Sequence, residues 1–482
     1  FQEQIHFRKN SHMTLHLICD LDDSLIKTDC LFEQWIQLLK VSPLKFIQSF
    51  FWFSKGKAHF KVQLAQCTVF DASSLPYRES VIEFIKEFKK SQNCKVILAS
   101  ASPEPWVSSV AKHLQLFDHV LASNSQSNLK GEQKLKAIQG LLGDSPWSYI
   151  GDSKADLPIW RQSAQIIAVN PSSSLIHQIK HLNKPTHYLT DHRRTTGALI
   201  LKQIRIHQWA KNALIFLPLL AAHQFNSIGK LSNGLLAFLS FSFCASLIYL
   251  LNDLLDLESD RKHKTKRTRP FASGHLSLRW AFLLIPLLAL GVISCSRLLS
   301  VEFTLWLSLY FVSNLLYSFK LKKIVILDIV LLSMMYSIRV FAGSAATEVL
   351  TSEWLMSFSI MFFFGLACIK RYSEIHKASS DKISGRGYIS SDASAIQSLG
   401  VGASLLSVLI FTLYLQSPEV RALYSRPELL WGVNPLLLYW VSRVWLLTNR
   451  DQMNDDPVVF ALKDRTSWFC LVLIIMLGRL AI

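Results

Sequence analysis

The chain has 482 residues, half of them apolar and 18% charged, with a mean hydropathy of +0.27, and is long enough for more than one domain. Its net charge of +17 is modest for a nucleic-acid binder of this size, and no nucleic-acid-binding motif accompanies it, so that class is set aside. Residues 1–195 carry +6 and have the pattern of a soluble α/β protein, whereas the remainder carries +11 among repeated apolar runs of transmembrane length. Eight cysteines, at 19, 30, 67, 94, 244, 295, 368 and 470, form no close pair of the metal-knuckle or redox type. Four lie within apolar runs, which suits buried thiols in a reducing compartment. The sequence starts at Phe1 and shows no secretory-type stretch.

In chain order, the first element is the apolar run LHLIC, which ends at Asp20, with Asp22 two residues on and Ser24 after it. An Asp at a strand end can attack phosphorus while a second protonates the leaving oxygen. The stretch from Ser24 to Ser100 includes LFEQWIQLLK and SPLKFIQSFFWFSKGKAHFKVQLA and suggests a small helical cap over about 29–75. Its FFWF run, bordered by Lys55, Lys57 and Lys61, either packs inside the cap or rests on an anionic bilayer. KVILAS is a second strand ending at Ser100, and Lys134 follows in LKGEQKLKAI, where a helix would aim its ammonium at phosphate. SYIGDSKADLP places Asp152 after a third apolar run, with Asp156 four residues later, and AQIIAVN supplies a further strand. Oxygen donors at the ends of adjacent parallel strands suit Mg²⁺ and the usual place of α/β active sites.

These four elements resemble the haloacid-dehalogenase phosphatase superfamily over about residues 14–180. The resemblance implies a Rossmann-like sheet, an aspartyl-phosphate intermediate and Mg²⁺. It makes Asp20 the nucleophile, Asp22 the acid/base, Ser100 and Lys134 phosphate binders, and Asp152 and Asp156 metal-side acids together with Asp20. Asp23 stands where many relatives have Gly, which tightens the first loop without removing a catalytic group. The expected divisions are a phosphatase-like domain over 1–180, a linker over 181–200 and an all-α membrane bundle over 201–482.

Nine apolar spans are expected, near 204–222, 233–251, 280–296, 301–318, 325–343, 354–372, 395–416, 431–449 and 466–482. Cations gather in alternate loops: seven from Arg261 to Arg279, then Lys320, Lys322 and Lys323, then Lys370, Arg371, Lys377, Lys382 and Arg386, and last Arg450, Lys463 and Arg465. The intervening loops are poor in them. The bias implies a multi-pass protein of a bacterial inner (cytoplasmic) membrane, its N-terminal domain and active sites cytoplasmic and its C-terminus on the outer side.

The stretch NDLLDLESDRKHKTKRTRPFASG, from Asn252 to Gly274, closes the second span. Its carboxylates Asp253, Asp256 and Asp260 fall at spacings of three and four, one face of a continuous helix. Beside them stand Asn252, His263, Lys266, Arg267 and Arg269, a set suited to a divalent metal on a diphosphate with cations neutralising the rest. Lys320, Lys322, Asp328, Lys370, Arg371 and Glu374 are expected at the same membrane level. Arg339, three turns from Asp328, serves a substrate phosphate or an inward carboxylate. Lys211 and Asn212 reach for phosphate, or the lysine snorkels. In DDPVVFALKDR, the residues Asp455, Asp456, Lys463, Asp464 and Arg465 close the cavity or anchor a loop.

NDLLDLESD and the nine-span count resemble the UbiA prenyltransferase superfamily over about 200–482. QWAKN, HKTKRTRPFASG, YSFKLK (with Tyr317), IRVFAG, KRYSE and DPVVFALKDR are similar to its decaprenyl-phosphate phosphoribosyltransferase branch. The resemblance implies transfer of 5-phosphoribose from 5-phosphoribosyl 1-diphosphate to a polyprenyl phosphate in the bilayer. Asp253, Asp256 and Asp260 would then hold Mg²⁺ on the leaving diphosphate. Lys211, Asn252, Lys266, Arg267, Arg269, Lys322, Arg339, Lys370 and Arg371 would take substrate phosphates, with His263, Tyr317, Asp328 and Glu374 as further candidates. The phosphatase-like half would remove the 5-phosphate afterwards, making the chain bifunctional with Mg²⁺ in both domains. Two other readings stand beside this one: prenylation of an aromatic or quinone precursor, and a membrane scaffold with an inactive phosphatase-like half.

Overall fold

The computed structural model describes residues 15–91, 94–124, 128–191, 195–350, 352–377, 386–453 and 456–482, and Lys382 and Asp455 lie outside these. The chain divides into two compact units, one of residues 1–203 with 250–284 and one of residues 204–249 with 285–482.

In the first unit, β1 (His16–Cys19) leads through a tight loop to α1 (Cys30–Val41), α2 (Pro43–Ser54), α3 (Lys57–Cys67) and α4 (Glu79–Ser91). Then follow β2 (Val96–Pro103), α5 (Glu104–Leu114), β3 (His119–Ser123), α6 (Glu132–Leu142) and β4 (Trp147–Gly151). The unit continues with α7 (Leu157–Gln162), β5 (Gln165–Val169), α8 (Ser173–Lys180), β6 (Thr186–Leu189) and α9 (Thr196–Gln203). All strand pairs are parallel, in the order β3-β2-β1-β4-β5-β6. Helices cover both faces, so the strands are continuously apolar and alternate residues feed two cores. Leu17, Cys19, Val96 and Leu98 pack with Phe84 and Phe88 of α4 and with Trp106 of α5. Ile18, Ile97, Tyr149 and Ile166 pack with Ile138 of α6, Trp160 of α7 and Ile179 of α8. Each such buried side chain contributes about 1.5–3 kcal/mol. The order reverses between β1 and β4, so their carboxyl ends open a crevice. Residues 186–189, within the stretch expected to be a linker, add the sixth strand.

In the second unit, Ile206–Phe216 winds as a tight 3₁₀ helix into α10 (Leu217–Ala221). Pro218 and the polar pair Lys211 and Asn212 account for this broken first segment. Next come α11 (Ile228–Leu255), whose last turns belong to the first unit, as does α12 (Leu257–Lys262), then α13 (Arg279–Ser296), α14 (Val301–Phe319) and α15 (Leu327–Thr347). The chain ends with α16 (Glu353–His376), α17 (Ala393–Tyr414), α18 (Pro418–Leu423), α19 (Val433–Asn449), α20 (Pro457–Lys463) and α21 (Arg465–Ala481). Among the described residues, five helices are long and apolar enough to cross a membrane: Ile228–Leu255, Arg279–Ser296, Leu327–Thr347, Glu353–His376 and Ser390–Tyr414. The protein is a multi-pass membrane protein with a helical bundle. The other expected spans correspond to the broken 206–221 stretch, α14, α19 and α21. Small residues let helices meet closely, as where Gly400 of α17 leaves room for Cys368 and the Trp445 ring.

Candidate functional site

Asp20 leaves the end of β1 and Asp152 follows β4, the two strands that flank the crevice. Lys134, buried on α6, donates from Nζ to Asp20 Oδ1 at 2.8 Å and to the Tyr149 hydroxyl at 3.0 Å. Tyr149 in turn donates to Asp156 Oδ1 at 3.0 Å. Asp156 also accepts from the backbone of Ser153 at 3.1 Å, and Ser24 Oγ donates to Asp152 at 3.3 Å. Gly151 is required where it stands, because a Cβ there would come within 2.7 Å of Asp156 Oδ2. Ligand oxygens of Asp20, Asp152 and Asp156 all lie within 4.8 Å of one another, forming a candidate metal centre.

Burial pushes the Asp20 carboxyl up to about 7 in spite of Lys134, with Asp156 and Asp22 adding to the rise. Burial also pushes Asp152 up to about 8, assisted by Asp20, Asp156 and Asp23. Such crowding of buried acids, all of them hard oxygen donors, fits a divalent cation of the Mg²⁺ class.

The loop after Asp20 turns sharply, and Asp23 adopts φ +56°, the left-handed conformation that favours Gly. This gives the physical reason for a Gly preference at the position. Asp22 accepts from Cys30 N at 2.8 Å, from Ser102 Oγ at 2.7 Å and from Ser100 Oγ at 3.4 Å. Ser100, expected to bind phosphate, is fully buried and donates to Asp22. Strand alternation puts Ser102 on the same face, so the SAS spacing contained that signal.

Asp20, Asp22, Lys134, Asp152 and Asp156 line a cavity of about 660 Å³, walled on one side by Lys61, Val62, Ala65 and Gln66 of α3. Arg279 also lines it, reaching Asp29 at 2.9 Å and Asp23 at 3.2 Å. Nothing near Arg279 in the sequence announced that position.

The acidic stretch also belongs to the first unit. Asp253 and Asp260, both buried, converge on Arg269 Nη1 at 2.9 and 2.5 Å. Gln203 donates to Asp253 Oδ2 at 2.8 Å, and Lys266 stands 4.0 Å from Asp260. Asp256 is exposed where α11 gives way to α12, so the three carboxylates do not share one continuous helix. Asn252 is half-buried, while His263 and Arg267 are exposed, His263 Nδ1 accepting from Thr265 N at 3.3 Å. The buried pair has the oxygen chemistry of a divalent-cation site, and among the described residues Asp256 does not complete a three-carboxylate cluster with it.

In the second unit, Asp456 gathers Lys211 at 2.9 Å, Lys370 at 3.0 Å and the Tyr336 hydroxyl at 3.0 Å. Burial opposes its ionisation, but Lys370 and Lys211 outweigh that and hold the carboxyl well below the usual carboxylate range. Arg339 donates to Asn212 Oδ1 at 2.8 Å, to the Tyr310 hydroxyl at 2.9 Å and to Met335 O, all neutral acceptors. Of the two roles open to it, pairing with an inward carboxylate is not among the described contacts. Asp328 is fully buried on Arg371, at 2.7 Å, and on the Tyr388 hydroxyl, with Arg386 at 3.4 Å. Arg371 also pairs with Glu374, which Arg386 reaches at 3.1 Å. Arg371, expected on substrate, pairs with two carboxylates here, as Arg269 does with Asp253 and Asp260. Tyr317 accepts from Arg386 at 3.0 Å; Lys322 is half-buried and Lys320 exposed. Asp464 pairs with Arg443 at 2.7 Å and caps α21.

The haloacid dehalogenase-like hydrolase family model matches residues 17–161, and the UbiA prenyltransferase family model matches residues 213–464. The chain is 36% identical over 463 residues to an uncharacterised protein of Sinorhizobium fredii, covering 94% of this chain and 89% of that one. It is 34% identical over 278 residues to the nodulation protein NoeC of Azorhizobium caulinodans, covering 56% and 88%. It is 35% identical over 186 residues to the decaprenyl-phosphate phosphoribosyltransferase of Mycobacterium tuberculosis, covering 37% of this chain and 61% of that protein, less than two thirds of its length. The chain belongs to the UbiA prenyltransferase family, with a haloacid-dehalogenase-like domain fused before the membrane bundle.

Proposed function

We propose that the chain is a Mg²⁺-dependent polyprenyl-phosphate phosphoribosyltransferase whose N-terminal domain removes the 5-phosphate from the product. One observation carries this reading: a single chain joins a carboxylate–lysine cavity to a UbiA bundle similar in sequence to a decaprenyl-phosphate phosphoribosyltransferase.

In the transfer, an anionic oxygen of the polyprenyl phosphate forms the bond to the anomeric carbon while the bond to diphosphate breaks. No strong protein base is needed, since the attacking oxygen is already ionised. Asp253 and Asp260, with Asp256 at the neighbouring turn, would hold Mg²⁺, which when bound would supply positive charge to the leaving diphosphate. Arg269, Lys266 and Arg267 offer cations to the sugar phosphates. Lys211, Lys322, Arg339 and Lys370 serve either phosphate-bearing substrate.

In the second reaction, an Asp20 oxygen attacks phosphorus and Asp22 gives its proton to the departing sugar oxygen. Lys134 holds Asp20 and the phosphate, and Asp152 and Asp156 complete the metal side. Water then hydrolyses the aspartyl phosphate, leaving polyprenyl phosphoryl-ribose. The finer arrangement proposed with it is nine spans in an inner membrane, a cap over about 29–75 and divisions at 1–180, 181–200 and 201–482. Alternating loop charge supports cytoplasmic active sites and an outer C-terminus.

The test uses the purified full chain with labelled 5-phosphoribosyl 1-diphosphate, decaprenyl phosphate and Mg²⁺. Wild type yields a lipid-linked ribose, and Asp20→Asn yields the same lipid still carrying its 5-phosphate. Absence of any Mg²⁺-dependent lipid-linked sugar defeats the transferase reading. Unchanged dephosphorylation in Asp20→Asn defeats the phosphatase reading alone.

A further inference from the structure

Helix α2 turns its two faces to different surroundings. On the inner face, Phe46 and the partly exposed Phe50 pack on Trp35, with ring centroids 5.7 and 5.4 Å away, and Trp35 Nε1 donates to Ser49 at 2.7 Å. On the outer face, Leu44, Ile47 and Phe51 are 76%, 61% and 73% exposed. Their spacing of three and four makes one stripe about 10 Å long. Val41, just before the helix, is 60% exposed as well. Large aliphatic and aromatic side chains grouped in this way mark an interaction surface, unlike single exposed apolar residues.

The charge around the stripe selects the partner. From residue 34 to residue 70 the sequence holds five lysines, at 40, 45, 55, 57 and 61, and no Asp or Glu. Lys45 and Lys55 are exposed, while Lys40 pairs with Glu258 at 3.3 Å. A second copy of the same surface would bring like charges together, which opposes self-association. An anionic bilayer satisfies both features at once, taking the apolar stripe among its acyl chains and the ammonium groups among its phosphates. The chain's long apolar helices associate it with a bilayer in any case.

We propose that α2 is an interfacial anchor, lying in the plane of an anionic leaflet with Leu44, Ile47 and Phe51 buried about 5–10 Å into the headgroup–acyl boundary. The adjoining α3 walls the 660 Å³ cavity, so anchoring holds that cavity's rim near the headgroups. On the phosphatase reading, a lipid-linked phosphomonoester then needs little extraction to reach Asp20. The anchor itself does not depend on that reading.

The test places p-benzoylphenylalanine at Leu44, Ile47 or Phe51, one at a time, in the full chain reconstituted into nanodiscs of phosphatidylglycerol and phosphatidylcholine. A control carries the probe at Lys86, exposed on α4. After irradiation, mass spectrometry reads the adducts. The expected result is acyl-chain adducts at the three stripe positions, several-fold above the control. They should fall several-fold in pure phosphatidylcholine and in Lys45→Glu/Lys55→Glu, with the melting curve unchanged. Adducts to another copy of the chain, or lipid adducts no more frequent than at position 86, overturn the proposal.

Discussion

Asp22 sits at the convergence of three donors, and the two hydroxyls among them come from one strand, two residues apart. At 2.7 Å, the Ser102 bond is the shorter and stronger of the two. Leaving a largely enclosed acceptor short of a donor costs about 1–3 kcal/mol. If that bond orients Asp22 for proton delivery, Ser102→Ala lowers kcat on a soluble phosphomonoester about 10- to 100-fold. Ser100→Ala, removing a 3.4 Å contact, should cost less. Steady-state kinetics of both variants checks the order, and an unaffected Ser102→Ala removes Ser102 from the positioning of Asp22. At this scale the sequence was informative wherever chemistry depends on a short motif. Asp20, Asp22, Lys134, Asp152 and Asp156 line the same cavity. Ser102 was legible in the strand alternation but passed over, whereas Tyr149 and Arg279 were not seen because their roles arise from chain segments far apart in sequence.

Among the elements of the second unit, the 206–216 helix, α15, α16 and α20 meet at one carboxylate: Asp456 bonds Lys211, Tyr336 and Lys370 and caps α20. Removing one partner from a buried ion cluster leaves charge uncompensated, at a cost of about 3–5 kcal/mol. Asp456→Asn should fall toward the lower end, because Lys370 is partly exposed and Asn still caps a helix. A lowered melting temperature in detergent is the expected readout, partly restored by adding Lys211→Met, which removes one stranded cation. A melting temperature that does not move makes the cluster energetically neutral. Periodicity showed the apolar helices and the first-unit strands that carry the acids. It missed β3 and β6, which are short and lie at the sheet edges. It also carried a single helix through Asp256, where the chain restarts as α12. Asp256 makes no side-chain cap bond there, but Glu258 and Asp260 suit the positive end of α12.

Across the whole molecule, composition divides the chain near residue 200, yet the compact first unit takes residues 250–284 back into itself. Within that unit, Arg261 grips Glu33 at 2.6 and 3.1 Å, with both side chains buried. It also donates to Ala272 O and Ser74 O. Phe282 stacks on Trp35, with centroids 4.3 Å apart, and Gly274, at φ +71°, lies so close to Lys27 that any Cβ would collide. Hydropathy could not reveal this, because a loop's polarity does not tell which surface it covers. A fragment ending at residue 203 would therefore keep the sheet but leave Glu33 without its guanidinium and Trp35 without its stacked ring. The ion-pair loss alone is worth about 3–5 kcal/mol, a large share of an ordinary domain's stability. Such a fragment should unfold at markedly lower urea than the same unit in the full chain, followed by limited proteolysis. Glu33→Gln should recover part of the loss in the fragment while destabilising the full chain, because only there does Arg261 need the charge. The same sign in both contexts would show that Arg261 does not stabilise the unit through Glu33.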